Sequence, residues 1–318
     1  MRPENVGRGP IRSRLRERLM ARAGLELPRG LQQGSLDIDG RPRTYSLAPG
    51  SQPRAPLIVV LHGGGGTGLG MAALTNLAER APAAGFAAVF PDGVGGVWND
   101  QRDAPRLARR EGIDDVRFLN QLVDHLVTEN VAAKGPVFAT GISSGAFLAE
   151  HVARHALMPL AGVALVAGAA TVVSRQAVPS PRQPTLLLAF LGTADPLVPY
   201  PGGPIGRVAQ RRGAQRTQGD RGVAAPAEDA MADWASTNRC DPNPTAEQVS
   251  THNGALPVTK LVWSAPGRPS VVLYRIEGGG HTWPGGAQYL PARIIGPVAS
   301  ELDATGIMLQ AFQTATPE

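Results

Sequence analysis

The chain has 318 residues, of which 42% are hydrophobic and 18% are charged. These values are typical of a globular protein with one large domain, and no stretch approaches the roughly 20 consecutive apolar residues of a transmembrane helix. The formal net charge is +5, and residues 1–30 carry all of the excess, with eight arginines against three glutamates. Since the rest of the chain is balanced, the charge does not indicate a nucleic-acid-binding surface on the folded part.

The N-terminal segment, residues 1–33, is predicted to be a basic arm outside the folded domain. Apolar residues recur in it at helical spacing between the arginines, so it is interpreted either as a short amphipathic helix or as a disordered extension. It has no apolar core of the kind that secretory signal peptides contain, and the cellular compartment stays open. A single cysteine, Cys240, excludes an intrachain disulfide and a cysteine-rich metal site.

A single catalytic domain is predicted for residues 34–318. It begins with a β-hairpin around the Asp-Gly turn within 34–48. After the hairpin, apolar runs typical of buried parallel strands alternate with helical patterns. The strands of this kind are predicted at 56–61, 86–91, 135–141, 160–168, 184–192 and 270–276. The helices are predicted at 71–85, 113–130, 143–157, 227–240 and 298–313. This alternation predicts an α/β fold with a mostly parallel, doubly wound sheet and helices on both faces, interrupted by a surface excursion around 200–265.

Residues 141–145, with the sequence GISSG, follow a predicted strand and open a predicted helix. The G-x-S-x-G spacing is that of a nucleophile elbow, in which a tight turn exposes the central serine while small flanking residues let neighbouring backbones approach. Ser143 is the central residue of this pattern, because centring it on Ser144 would require glycine where Ile142 and Ala146 stand. The alternative interpretation is an ordinary strand-to-helix turn capped by a serine.

A serine nucleophile needs a histidine base and a carboxylate that orients the base. On folds of this kind the chain order is serine, acid, histidine, with the acid and the base on loops after later strands. Asp195 follows the predicted strand 184–192, and His281 follows the predicted strand 270–276. Each residue alone fits an ordinary loop, but their joint placement after Ser143 predicts a catalytic triad.

The glycine run HGGGG at 62–66 follows the first predicted parallel strand, where such hydrolases supply an oxyanion donor. Glycines let a backbone N–H approach a substrate carbonyl without an intervening side chain. The predicted oxyanion hole therefore combines the N–H of Gly64, with Gly65 as its substitute, and the N–H of Ser144 at the start of the following helix.

A competing interpretation assigns the same glycine run to dinucleotide binding. Gly63, Gly65 and Gly68 satisfy G-x-G-x-x-G between a strand and a helix, and Asp92 ends the next strand, near the place of a ribose-binding acid. This interpretation leaves the positions of the later serine, aspartate and histidine unexplained.

Two tryptophans and a tyrosine are the predicted substrate-binding residues. Trp98 and Trp283 lie on loops after strands, and Tyr200 follows the Asp195 loop, so all three could line an acyl or aromatic pocket. The alternative for the tryptophans is packing against the base of their loops.

No metal ion and no cofactor are predicted. His151 and His155 have the spacing of a zinc-binding helix, but Val152 stands where the H-E-x-x-H pattern requires glutamate. His252 falls in a polar loop without a strand before it.

Several motifs of the chain, which occur in the same order as in the family, resemble those of the α/β-hydrolase esterases that include polyhydroxybutyrate depolymerases and feruloyl and acetylxylan esterases. The matching stretches span about residues 35 to 313 and read PLIVVLHGGGG, FPDG with VWND, GIDDVRFLNQLVDHL, TGISSGAFLAE, GTADPLVPYPGG and GGGHTWPGG. The resemblance implies an α/β-hydrolase fold, Ser143, Asp195 and His281 as the triad, and a polyester or aryl ester as substrate. Members of the family are commonly exported and often carry cysteine pairs, whereas this chain has one cysteine.

The sequence thus predicts a serine esterase that works through an acyl-enzyme on a small-molecule or polymeric ester, without nucleic acid or cofactor. A serine peptidase of the same fold would use the same chemistry and stays open, as does the dinucleotide-binding oxidoreductase. A non-catalytic carrier on this fold would be expected to lose part of the triad. The oligomeric state is not predicted.

Overall fold

The computed structural model describes residues 25–102, 109, 111–178, 180–206, 221–249 and 255–316. The helix considered for the N-terminal arm and His252 lie outside these residues, as do two parts of the excursion predicted around 200–265. Among the described residues, no helix has both the length and the apolar character needed to cross a membrane.

A ten-stranded sheet forms the centre of the described part of the chain, in the order β1-β2-β4-β3-β5-β6-β7-β12-β11-β10. The six central strands, from β4 to β12 in that order, are parallel. Antiparallel strands flank them on both sides, and β8 and β9 form a separate small ribbon. The bounds are β1 Gln32–Ile38, β2 Arg41–Ala48, β3 Ala55–Leu61, β4 Ala87–Pro91, β5 Ala132–Ile142, β6 Leu160–Val166, β7 Leu186–Gly192, β8 Gly203–Pro204, β9 Val223–Ala224, β10 Thr245–Gln248, β11 Val258–Trp263 and β12 Val271–Ile276.

Helices cover both faces of this sheet. Their bounds are α1 Gly68–Thr75, α2 Leu77–Ala83, α3 Asp115–Thr128, α4 Ser144–Arg154, α5 Val172–Ala177, α6 Ala227–Thr237, α7 Ala292–Ile295 and α8 Ala304–Ala315. Side chains of α3, α4 and α6 join one buried apolar cluster, and side chains of α1, α2 and α8 join another. In β3, Leu57 and Val59 belong to the first cluster while Ile58 and Val60 belong to the second. Because successive side chains of a strand point to opposite faces, each apolar run feeds both layers of the core, and the predicted doubly wound α/β fold is confirmed.

The helix predicted over 71–85 is divided in two. Asn76 lies between α1 and α2 with φ at 55°, in the left-handed region, so the helical hydrogen-bond pattern stops there. Asparagine enters this region more readily than most residues, which explains why the chain can turn at this position.

Two elements within the surface excursion predicted around 200–265, α6 and β11, contribute to the core. Met231 and Trp234 of α6 have no exposed surface, and β11 is an interior strand of the sheet. The antiparallel pairing of β11 with β12 gives Val258 and Trp263 buried positions, so this part of the chain completes the core.

Candidate active site

Ser143 connects β5 to α4 in a conformation that few non-glycine residues adopt, with φ at 56° and ψ at −117°. A side chain in such a region costs on the order of 1–3 kcal/mol and persists only where its surroundings hold it. Two backbone hydrogen bonds do so: Ser143 N donates to Val166 O at 2.9 Å, and Phe147 N donates to Ser143 O at 3.0 Å. A turn of this form lifts the serine side chain above the carboxyl edge of the sheet.

The glycines on either side of Ser143 allow a very close backbone approach. A Cβ at Gly145 would lie 2.3 Å from the carbonyl oxygen of Leu61, and one at Gly141 would lie 2.5 Å from the carbonyl carbon of Gly145. Since real Cβ atoms do not approach backbone atoms so closely, α4 can begin this near to β3 only because these positions lack side chains.

Asp195 and His281 are joined by a hydrogen bond. The strands that precede them, β7 and β12, are neighbours in the sheet, and His281 Nδ1 lies 2.7 Å from Asp195 Oδ2. The other carboxylate oxygen, Asp195 Oδ1, accepts the backbone N–H groups of Leu197 at 2.7 Å and Val198 at 2.9 Å. Both side chains are almost fully buried. A proton on Nδ1 of His281 serves this hydrogen bond, which leaves Nε2 with a lone pair to accept a proton.

Ser143 lies at the same edge of the sheet as this pair. It follows β5, which is separated from β7 by β6. A small cavity of about 20 Å³ is lined by both Gly168 and Asp195, and a Cβ at Gly168 would lie 3.1 Å from Ser143 O. The side chain of Ser143 forms no hydrogen bond with the described residues. Hydrogen bonds between nucleophile and base often tighten only when substrate binds, so this geometry is compatible with a triad.

The glycine loop after β3 lies beside Ser143, since a Cβ at Gly63 would lie 3.6 Å from Ser143 Cβ. In this loop, Gly65 N donates to Gly96 O at 2.6 Å and Gly66 N donates to Gly63 O at 2.9 Å. Gly64 is exposed, and its N–H has no hydrogen-bond acceptor within the described ranges. Of the two glycines considered as oxyanion donors, Gly64 is therefore the one whose N–H is available to a substrate.

His62 holds this glycine loop in place, a role that the sequence analysis did not assign to it. Its Nδ1 lies 2.7 Å from Gly63 O, and its Nε2 accepts the backbone N–H of Gly93 at 2.9 Å. Because a carbonyl only accepts and an amide only donates, the imidazole is neutral with its proton on Nδ1. The position of a histidine directly before four glycines is the only signal in the sequence for this role.

The loop that carries His281 is fixed by contacts outside the motif. Tyr289 Oη donates to His281 O at 2.8 Å, and a Cβ at Gly280 would lie 2.4 Å from Gly296 Cα. Burial, together with the nearby charge of Asp195, raises the pKa of Tyr289 above its ordinary value, so its hydroxyl stays protonated as a donor. No sequence pattern indicates Tyr289.

The three predicted substrate-binding residues do not share one environment. Trp98 and Trp283 have 0% and 1% of their surface exposed. Trp98 Nε1 donates to His62 O at 2.8 Å, and Trp283 Nε1 donates to Thr305 Oγ1 at 3.0 Å. Contrary to the prediction, both rings pack inside the protein and present no surface to a substrate, because each indole N–H finds its partner there.

Tyr200 is only partly buried and lines the cavity beside Asp195. Its hydroxyl donates to Glu228 Oε1 at 2.9 Å. Among the described residues there is no cluster of three or more side chains able to hold a metal ion.

Comparison with known proteins finds similarity both in sequence and in fold. A protein of Nocardia uniformis subsp. tsuyamanensis, named "Putative esterase NocK", is 30% identical over 272 residues, which cover 83% of this chain and 77% of that protein. The structure of an acetyl xylan esterase from Aspergillus awamori superposes with a TM-score of 0.54 at 15% identity, over 80% of this chain and 94% of that one. No family model matches the chain.

Proposed function

The chain belongs to the family of α/β-hydrolase esterases, and from this premise we propose that it hydrolyses carboxylic esters with Ser143, Asp195 and His281 as its catalytic triad. The observation that carries the proposal is the 2.7 Å hydrogen bond between His281 and Asp195, at the sheet edge where Ser143 is held at positive φ. A histidine polarised by a carboxylate, at the same sheet edge as a strained serine, is the arrangement from which acyl transfer can proceed.

In the first half of the reaction, His281 Nε2 takes the proton of Ser143 Oγ while the oxygen attacks the ester carbonyl. The negative charge that develops on the carbonyl oxygen is met by the N–H groups of Ser144 and Gly64, and Asp195 stabilises the imidazolium that forms. The tetrahedral intermediate then collapses as Nε2 returns the proton to the leaving alcohol. The products of this half are the free alcohol and an acyl-enzyme on Ser143.

In the second half, a water molecule takes the place of the alcohol. His281 Nε2 accepts one of its protons as the oxygen attacks the acyl carbon, and the same two N–H groups hold the second oxyanion. Collapse of this intermediate returns the proton to Ser143 Oγ and releases the carboxylic acid. No redox step or cofactor is needed for this cycle.

For the substrate we propose a polyester of the polyhydroxyalkanoate type or an aryl ester such as a feruloyl ester. The motifs that span about residues 35 to 313 support this choice through their resemblance to the family of polyhydroxybutyrate depolymerases and feruloyl esterases. A panel of short acyl, aryl and polymeric esters ranks these classes by kcat/KM.

The dinucleotide interpretation of the glycine run has no support in the surroundings of Asp92. Asp92 Oδ1 accepts the backbone N–H of Gly68 at 2.8 Å, and Oδ2 accepts the hydroxyl of Thr44 at the same distance. Both oxygens therefore bond groups of the protein itself, where a dinucleotide-binding acid would bond the ribose hydroxyls.

The proposed function is tested by Ser143→Ala, assayed on p-nitrophenyl acetate and on the ester panel. We expect a loss of at least about 10⁴-fold in kcat, because the proposed acyl-enzyme forms on the hydroxyl that this change removes. Ser264→Ala, at an exposed serine of the β11–β12 loop, is the control and keeps full activity. Ester hydrolysis by Ser143→Ala at a comparable rate would contradict the triad assignment.

A further inference from the structure

The loops that carry Asp195 and His281 are joined by a side chain outside the proposed triad. Thr193 Oγ1 accepts the backbone N–H of Gly278 at 2.9 Å and donates to Glu277 Oε2 at 3.2 Å. We propose that Thr193 is a positioning residue, whose hydroxyl holds the two loops together so that Asp195 stays at hydrogen-bond distance from His281. The inference rests on the proposed function and adds to it a residue that acts through the triad.

The two loops leave neighbouring parallel strands and continue side by side. In the last pair of the β7–β12 ladder, Gly192 lies opposite Ile276. The next residue, Thr193, donates its N–H to Ile276 O at 2.9 Å, and Ala194 N then donates to Gly279 O at 3.0 Å. In both of these bonds the loop after β7 is the donor. The Thr193 hydroxyl adds a bond in the opposite direction, in which the loop after β12 donates.

The Thr193 contact lies at the base of both loops, where a shift reaches the catalytic groups. Asp195 is two residues beyond Thr193, and His281 is three residues beyond Gly278. The loops also touch directly here, since a Cβ at Gly192 would lie 2.3 Å from the carbonyl oxygen of the opposite loop. Segments this short and this closely packed transmit a displacement of their base instead of absorbing it.

A hydroxyl is suited to this place because it can accept and donate at once. The Gly278 N–H can only donate, so Thr193 Oγ1 accepts there and directs its own proton to the Glu277 carboxylate. The other oxygen of that carboxylate, Oε1, accepts Arg275 Nε at 2.7 Å. The side chain of Glu277 is 42% exposed, so this ion pair adds little to stability. Its effect is to fix the orientation of the carboxylate that receives the Thr193 proton.

Loss of the Thr193 hydroxyl is expected to affect catalysis more than stability. A partly exposed hydrogen bond contributes little to the free energy of unfolding, because water replaces the lost partner. In contrast, a displacement of about 1 Å at a catalytic group can lower a rate by about 100-fold. Thr193→Val keeps the shape of the side chain and removes both of its hydrogen bonds. Any separation of the loops then lengthens the 2.7 Å bond between His281 Nδ1 and Asp195 Oδ2.

The test measures kcat and KM on p-nitrophenyl acetate, together with the proton NMR resonance of His281 Nδ1–H, which reports the bond to Asp195. The variants are Thr193→Val and Thr193→Ser, which loses and keeps the hydroxyl respectively. Thr237→Val is the matched control, because Thr237 is also half-buried and its hydroxyl donates to Pro181 O, likewise at 3.2 Å. Pro181 precedes β7, so this bond lies at the opposite end of the strand from the triad.

We expect Thr193→Val to lower kcat at least about 10-fold with KM unchanged, and to move the Nδ1–H resonance upfield as its hydrogen bond lengthens. Thr193→Ser should restore kcat to near the wild-type value. The Thr237→Val control should keep both the wild-type kcat and the wild-type resonance.

Three results would overturn the inference and leave the proposed function standing. They are wild-type kcat in Thr193→Val, a loss of kcat in that variant without a change in the resonance, and an equal loss in Thr193→Ser, which would assign the effect to packing. A wild-type protein that hydrolyses no ester of the panel would overturn both the inference and the proposed function.

Discussion

Replacing Asp195 with asparagine probes the hydrogen bond on which the proposed triad depends. Asp195 Oδ1 accepts two backbone N–H groups, so the single amide oxygen of the new side chain must take that position to keep them satisfied. The amide NH₂ then faces His281 Nδ1, which becomes an acceptor, and the ring proton moves to Nε2. A ring protonated on Nε2 cannot accept the proton of Ser143, so catalysis fails although the packing is unchanged. In a serine protease, the equivalent change lowers kcat about 10⁴-fold, which is about 5 kcal/mol in the barrier.

The assay is kcat on p-nitrophenyl acetate for Asp195→Asn, together with its urea midpoint. We expect a loss of about 10⁴-fold in kcat and a midpoint close to that of the wild type. Asp241→Asn is the control, because Asp241 Oδ1 also accepts a loop N–H, from Asn243 at 2.8 Å, but lies far from the triad in sequence and is exposed. If Asp195→Asn kept more than about a tenth of wild-type kcat, the role given to this carboxylate would be refuted.

Three further predictions concern stability and are measured by urea unfolding. Ser143→Gly should raise the free energy of unfolding by about 1 kcal/mol, because glycine adopts positive φ without strain, and it should abolish activity. An unchanged or lower free energy of unfolding would contradict the strain assigned to the elbow. Gly145→Ala should lower the free energy of unfolding by about 3 kcal/mol, because the new Cβ would lie 2.3 Å from Leu61 O. Gly135→Ala is the control and should not lower it, because the nearest atom to a Cβ at that position is 3.8 Å away. Burial lowers the pKa of His151 from 6.5 to about 4, so from pH 6.5 down to pH 4 the unfolded chain takes up a proton that the folded one does not, and the folded state loses stability across that window. His151→Gln should therefore lose less stability than the wild type between pH 7 and pH 4, by at most about 3 kcal/mol, and equal losses would count against the buried neutral imidazole.

The central strands are predictable from the sequence because a strand buried on both faces has a continuous run of apolar residues. Runs such as 56–61 and 186–191 are apolar throughout, and each is followed by glycine or a polar loop at the functional edge. The order of Ser143, Asp195 and His281 after such runs places all three at one edge before any coordinates are known.

Two peripheral strands, β10 and β11, escape prediction because their sequences include exposed positions. All four residues of β10 are exposed, and β11 includes partly exposed Lys260 among its buried residues. Their place in the sheet is decided by strand pairing, of β11 with β12 and of β10 with β11, which these residues alone do not indicate.

The sequence also does not predict the environment of a side chain on a loop. Trp98 stands on a loop after a strand, which fits both a substrate pocket and a packed core. Its ring lies 4.6 Å from that of His62, 36 positions earlier in the chain, and its N–H bonds the backbone there. Only the folded arrangement of the two loops shows that the tryptophan supports the glycine run instead of a substrate.

Reaction with a fluorophosphonate, followed by digestion and mass spectrometry, tests the nucleophile most directly. Such a probe phosphonylates a serine only where a base removes its proton and N–H donors hold the oxyanion. A single adduct on Ser143, formed in step with the loss of ester hydrolysis and absent from Ser143→Ala, is the predicted result. An adduct on any other residue, or full ester hydrolysis after exhaustive treatment without an adduct on Ser143, would contradict the account.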